Sequence, residues 1–122
     1  MRKHKYNVSA PEKRRALGRT FGSQAEMRYA QQLELACQEG FMTEYICQPK
    51  FRLGSDAYFY VADFLVIPEG IDQRPYVVDV KGVETQMFKR HKMMWGEHGR
   101  LRLDVVKETS PGKFKVVESI GG

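Results

Sequence analysis

The chain has 122 residues, 42% hydrophobic and 29% charged, enough for one domain with a modest core and too few for two. No apolar run approaches the ~18–20 residues of a membrane span. The basic N-terminus lacks the apolar stretch of a secretory signal, so a cytoplasmic protein without a membrane partner is expected. Net charge is +5, but residues 1–19 hold seven Lys/Arg against one Glu and so leave the remainder at −1. A near-neutral body with a cationic arm suits a polyanionic partner such as nucleic acid; the plainer reading is a solubilising tail. The two cysteines, Cys37 and Cys47, are too few for a zinc quartet or a disulfide framework and read as reduced, buried thiols.

In chain order, residues 1–20 have few large apolar side chains and read as a mobile arm, with room for a short helix over 11–17. Arg2, Lys3, Lys5, Lys13, Arg14, Arg15 and Arg19 can pair with DNA phosphates, contacts that are independent of sequence and sensitive to salt. Residues 21–122 read as a single domain. It opens on Ser23-Gln24-Ala25-Glu26, a capping-box pattern that starts a helix ending at Gly40. Ala30, Leu33 and Cys37 make its buried stripe, with Glu26 inward and one turn earlier. Glu26 can be a capping carboxylate on the Ser23 amide.

Residues 44–53 read as the first strand. Pro49 lies inside it and cannot donate to a ladder, which implies an edge or a bulge. Gly54-Ser55-Asp56 forms a turn. Residues 58–67 make a second strand carrying Asp63, and residues 74–81 an almost continuously apolar, central third strand carrying Asp79. Thr85 caps a helix of about twelve residues that ends at Gly99. Phe88, His91, Met94 and Trp95 recur at helical spacing as its core face, so His91 reads as packed. Lys89, Arg90 and Lys92 are a basic run on its solvated side. Residues 101–107 and 113–118 are two further strands joined by a hairpin at 109–112. The order is α/β, helix, three strands, helix, strands.

Two carboxylates stand where core residues are expected. Side chains alternate along a strand, so Asp79 and Lys81 point the same way with Val77 beneath them, and Val61, Asp63 and Leu65 share a face. If the two strands pair, two carboxylates and an ammonium converge at a strand end. That grouping suits a hard cation beside a proton-handling group. The competing reading is an ion pair on a solvent-facing edge strand. The flanking valines and the second aspartate argue against it, since buried carboxylates are costly unless paired or metal-bound.

Ala62-Asp63-Phe64 followed by Asp79-Val80-Lys81 resembles the PD-(D/E)XK nuclease superfamily, with alanine in place of the proline of the first half. The longer series FGSQAE, QPKF, YVADF, VVDVKG and a helix with T..F..HK is similar to a small, mostly phage-encoded family of uncharacterised proteins assigned to that superfamily, over about residues 20–106. The resemblance implies a restriction-endonuclease-like αβββαβ core with a central mixed sheet flanked by helices. It implies a Mg²⁺ site, with Mn²⁺ as substitute, held by Asp63, Asp79, the Val80 carbonyl and Glu26, and Lys81 acting on the attacking water or the developing charge. It also brings Gln48 near the site and Lys92 towards substrate; Lys89, on the same basic run, is a further candidate DNA contact.

The expected function is a metal-dependent DNA endonuclease selective for branched DNA such as a Holliday junction, working as a homodimer in phage recombination or replication and located in the host cytoplasm. The alternatives are a DNA-binding accessory protein and a nicking nuclease active only with a partner in a replication or packaging complex.

Overall fold

The computed structural model describes residues 9–54 and 57–122. Arg2, Lys3 and Lys5 lie outside these residues, as do Ser55 and Asp56 of the expected turn. The arm from residue 9 onward is built rather than loose. Pro11–Arg14 is a 3-10 turn, and β1 (Arg15–Ala16) and β2 (Arg19–Thr20) form a two-stranded hairpin. Leu17 and Gly18, both at positive φ, make its tip. The room for a helix over 11–17 is thus filled by a single 3-10 turn. Arg14 anchors the segment by donating from Nη1 to the Phe21 and Gly22 carbonyls at 2.8 and 3.1 Å.

Helix α1 (Gln24–Gln38) starts where the Ser23 hydroxyl accepts the Glu26 amide at 3.0 Å. Helix α2 (Gln86–His98) starts in the same way, on the Thr85 hydroxyl and the Phe88 amide at 3.1 Å. Each cap satisfies an amide that the first helical turn cannot. No helix among the described residues is long and apolar enough to cross a membrane.

The expected first strand is two: β3 (Met42–Cys47) and β4 (Lys50–Arg52). The second is likewise β5 (Phe59–Val61) and β6 (Phe64–Pro68). The breaks face each other. Gln48 donates its amide to the Asp63 carbonyl at 2.9 Å, and Ala62 to Pro49 at 3.0 Å. Register is kept across the bend, with Cys47 opposite Phe64 on one side and Lys50 opposite Val61 on the other. Gln48 absorbs the bend at φ 57°. The bend also overturns the expectation that Val61, Asp63 and Leu65 share a face: Val61 is in the outer ribbon, and Asp63 sits at the break.

The main sheet adds β7 (Tyr76–Val80), β8 (Leu103–Ser110) and β9 (Lys113–Ile120) in the order β3-β6-β7-β8-β9. All pairs are antiparallel except β7–β8, which are parallel and joined through α2. This is a mixed α/β fold with a five-stranded sheet and two helices. Alternation on β7 feeds two cores. Val78 and Val80 pack with Ala30, Leu33, Phe64 and Phe21 beside α1. Val77 packs with Tyr60, Phe88 and Trp95 beside α2. Cys37 and Cys47 are free and half-buried rather than buried.

Candidate active site

The carboxylates meet at the C-terminal end of β7, where the two cores adjoin. α1 contributes Glu26, 6% exposed. Its Oε2 accepts the Gly22 amide at 3.1 Å, one residue before the Ser23 amide expected from the capping pattern. A side chain at Gly22 would crowd it, because a Cβ there would lie 3.3 Å from Glu26 Oε1. Asp63, at the hairpin bend, accepts the Val80 amide on Oδ2 at 2.7 Å. That bond fixes the carboxylate against the end of β7.

Asp79 is deeper, at 1% exposure. One oxygen accepts the Tyr60 hydroxyl. The other lies 2.9 Å from Lys81 Nζ, a charge pairing without an aligned hydrogen bond. Asp79 and Lys81 thus point the same way, as strand alternation requires. The Lys81 ammonium also lies 4.6 Å from the Phe88 ring centroid, a cation–π contact. A pocket of about 410 Å³ opens over Glu26, Asp63, Val80, Lys81, Gly82 and Thr85. Asp79 sits behind this wall, so the carboxylates facing solvent-accessible space are Glu26 and Asp63. Their oxygens are donors of the kind that hard cations take. Among the described residues, no three His, Cys, Asp or Glu side chains are gathered into a cage for a metal.

The electrostatics follow from crowding. Burial pushes the Asp63 carboxyl well above its ordinary range, and the neighbouring Asp79 and Glu26 push it further. Burial opposes the charge on Lys81, but Asp79, Asp63 and Glu26 outweigh it and hold the ammonium above its usual value. Lys81 therefore stays a cation at neutral pH. Burial first, then Asp79, keeps the Tyr60 phenol protonated far above its ordinary value, so it remains a donor.

Tyr60 is the residue that sequence reasoning missed. The signal was a hydroxyl-bearing ring in a core strand, since a buried tyrosine needs a partner for its tip. His91 is packed, as its place on the apolar stripe implies. Its Nδ1 is 2.8 Å from the Tyr58 hydroxyl, and its ring centroid is 4.8 Å from that of Tyr60. Burial lowers its pKa. Lys92 is held in ion pairs: its ammonium meets Glu84 and, at 2.8 Å, Glu118, tying α2 to β9. Lys89 is exposed on α2, and Lys13, Arg15 and Arg19 are exposed on the N-terminal turn and hairpin. Gln48 lies beside Asp63 through its backbone bond.

The family model described as protein of unknown function DUF1064 matches residues 3–111, and the chain belongs to that family. No curated protein and no solved structure matches it significantly.

Proposed function

We propose that this DUF1064 protein is a metal-dependent endonuclease of the PD-(D/E)XK type that hydrolyses phosphodiester bonds in DNA, branched DNA above all. The observation that carries the reading is the meeting of Glu26, Asp63 and Lys81, from α1, the hairpin bend and the end of β7, around one pocket, with Asp79 behind them against Lys81. The donor set fits Mg²⁺. The group is all-oxygen, and Asp63 bears repulsion from two other carboxylates that a divalent cation relieves. Mg²⁺ is commonly held by one or two carboxylates, with water and substrate phosphate completing its shell. Asp63 and Glu26 would hold it with the Val80 carbonyl, and Asp79 would join by releasing Tyr60 or Lys81 from one oxygen. When bound, it supplies a Lewis acid and a water of lowered pKa.

The chain's own residues do the rest. The Val80 amide and the Gly22 amide orient Asp63 and Glu26, so neither carboxylate has to be ordered during the reaction. Lys81, kept charged by its carboxylate neighbours, stabilises negative charge growing on the phosphate instead of taking a proton. Tyr60 holds Asp79, and Asp79 holds Lys81. Paired cuts across a junction call for two copies of the chain, and a homodimer is part of this proposal.

The test is cleavage of labelled linear duplex, flap and four-way-junction DNA with Mg²⁺, Mn²⁺ or EDTA, beside Asp63→Asn and Lys81→Gln, with circular dichroism to establish folding. Metal-dependent cutting that both folded variants lose is expected. Symmetrical cuts confined to the junction identify a resolvase. A folded wild type that binds these DNAs but never cuts them removes the enzyme. One observation favours that second reading, a DNA-binding accessory or partner-activated protein: both oxygens of Asp79 are already engaged by Tyr60 and Lys81.

A further inference from the structure

A second, polar cavity of about 350 Å³ adjoins the carboxylate pocket. Arg14, Arg19, Thr20, Phe21, Gly22 and Gln48 line it. Gly22 belongs to both spaces. Two hydrogen bonds from main-chain amides tie the spaces together. Gly22 gives its amide to Glu26, and Gln48 gives its amide to the Asp63 carbonyl. The walls of the second cavity are therefore bonded directly to the Glu26 carboxylate and to the main chain of Asp63.

Its chemistry is that of an oxyanion receptor. Arg14 is oriented by the carbonyls of Phe21 and Gly22, which fix a guanidinium without neutralising it. Its Nε is buried and meets no acceptor among the described residues. Arg19 is exposed, with its guanidinium carbon 5.8 Å from the Phe21 ring centroid. Among the described residues neither arginine is in an ion pair, whereas Arg28, Arg102 and Lys92 each hold a carboxylate. Thr20 adds a hydroxyl and Gln48 an amide. The hairpin that carries Arg19 is short and tightly turned, so this cation is placed rather than trailing on a loose arm. Gln48 keeps a left-handed backbone, φ 57°, that side chains other than glycine adopt at a cost. Such strain persists where the surroundings impose it, often beside functional sites.

We propose that this cavity is a subsite for a single phosphate group of a nucleic-acid strand, next to the phosphate that lies over the carboxylates. The inference rests on the nuclease reading of the neighbouring pocket and adds to it a fixed point that sets where along the strand the cut falls. Paired guanidinium groups suit phosphate because its oxygens accept several charge-assisted bonds at once. A chain-terminal phosphate and an internal phosphodiester offer the same oxygens, and the experiment separates them.

The measurement is fluorescence anisotropy with a short, dye-labelled single-stranded DNA, carrying either a 5′-phosphate or a 5′-hydroxyl, in EDTA so that the strand stays intact. Inorganic phosphate serves as competitor. Wild type is compared with Arg19→Gln, with Gln48→Gly, which keeps the backbone turn and deletes the side chain, and with Lys115→Gln, an exposed cation on β9. Loss of a charge-assisted contact predicts weakening of about tenfold or more for Arg19→Gln. A smaller loss is expected for Gln48→Gly and almost none for Lys115→Gln, with phosphate competition lost in Arg19→Gln. A preference for the 5′-phosphate that vanishes in Arg19→Gln assigns the subsite to a chain end. Equal binding of both DNAs with the same Arg19 effect assigns it to an internal phosphate. Equal losses in Arg19→Gln and Lys115→Gln, or no loss in either, overturn the subsite. Cleavage with Mg²⁺ is scored separately. Cutting without an Arg19 effect removes the subsite and leaves the nuclease, whereas an Arg19 effect without cutting does the reverse.

Discussion

Tyr60→Phe isolates the bond that holds the deepest carboxylate. The substitution removes one oxygen and leaves the ring, so the contacts of Tyr60 with Trp95 and His91, at centroid distances of 5.8 and 4.8 Å, persist. What is lost is the hydroxyl donated to Asp79, a carboxylate only 1% exposed that water cannot easily reach in compensation. A hydrogen bond to a charged group contributes about 1.5–3 kcal/mol, so the expected loss of stability is near 2 kcal/mol. At roughly 3–5 °C per kcal/mol for a chain of this length, Tm should fall by about 6–10 °C. Urea unfolding followed by tryptophan fluorescence suits the purpose. Trp95 is the only tryptophan, is 1% exposed and touches Tyr60. A double-mutant cycle with Asp79→Asn should return a coupling of the same order, because the two groups are in contact. A neutral or stabilising Tyr60→Phe, with no coupling to Asp79, would refute the argument that the phenol holds the buried Asp79 carboxylate.

Two further outcomes follow from the same structure. Glu108 takes two bonds from Arg28, at 2.6 and 2.7 Å, and one from the Gly112 amide at 2.9 Å. The Arg28 bond lowers the Glu108 pKa against the opposing effect of burial. Its contribution is therefore complete above the unfolded carboxyl value of about 4.3 and is lost as pH falls through the lower folded value. Glu108→Gln should cost about 1 kcal/mol at neutral pH, and denaturation curves of variant and wild type should converge in acid. Gly99→Ala should cost about 1–3 kcal/mol by overpacking. A Cβ there would lie 2.6 Å from the Trp95 ring, which is held by its own bond to the Leu101 carbonyl at 2.8 Å. An unchanged Tm would mean that the ring yields more readily than its packing implies.

The periodic parts of this fold were legible. Ser23 and Thr85 announce helix starts because their hydroxyls have one good use there. The spacing of Asp79 and Lys81 puts them on one face because strand geometry leaves no alternative. The rest depends on groups distant in sequence. Gln48 and Asp63 share a bend that neither strand signals alone; Pro49 hints at irregularity without giving its direction. Tyr60 meets Asp79 only after β5 has left the sheet plane. Arg14 and Arg19 looked like loose charge because a six-residue hairpin has too little apolar surface to announce itself. Lys92 looked free because Glu84 and Glu118, its partners, lie on separate elements.

The bent hairpin also bears on how this sequence can change. The bend is made by backbone conformation and not by an extra residue, so register runs unbroken from Tyr45 opposite Val66 to Arg52 opposite Phe59. Deleting or adding one residue on either side would turn every following side chain to the opposite face, bringing Val61 inward and Tyr60 outward. Length in these strands is therefore constrained by the register. The seven residues between β6 and β7, where Ile71 is fully exposed, carry no such constraint. An inserted residue there should leave the fold and the distance between the bend and β7 unchanged, which thermal melts of an insertion variant would check.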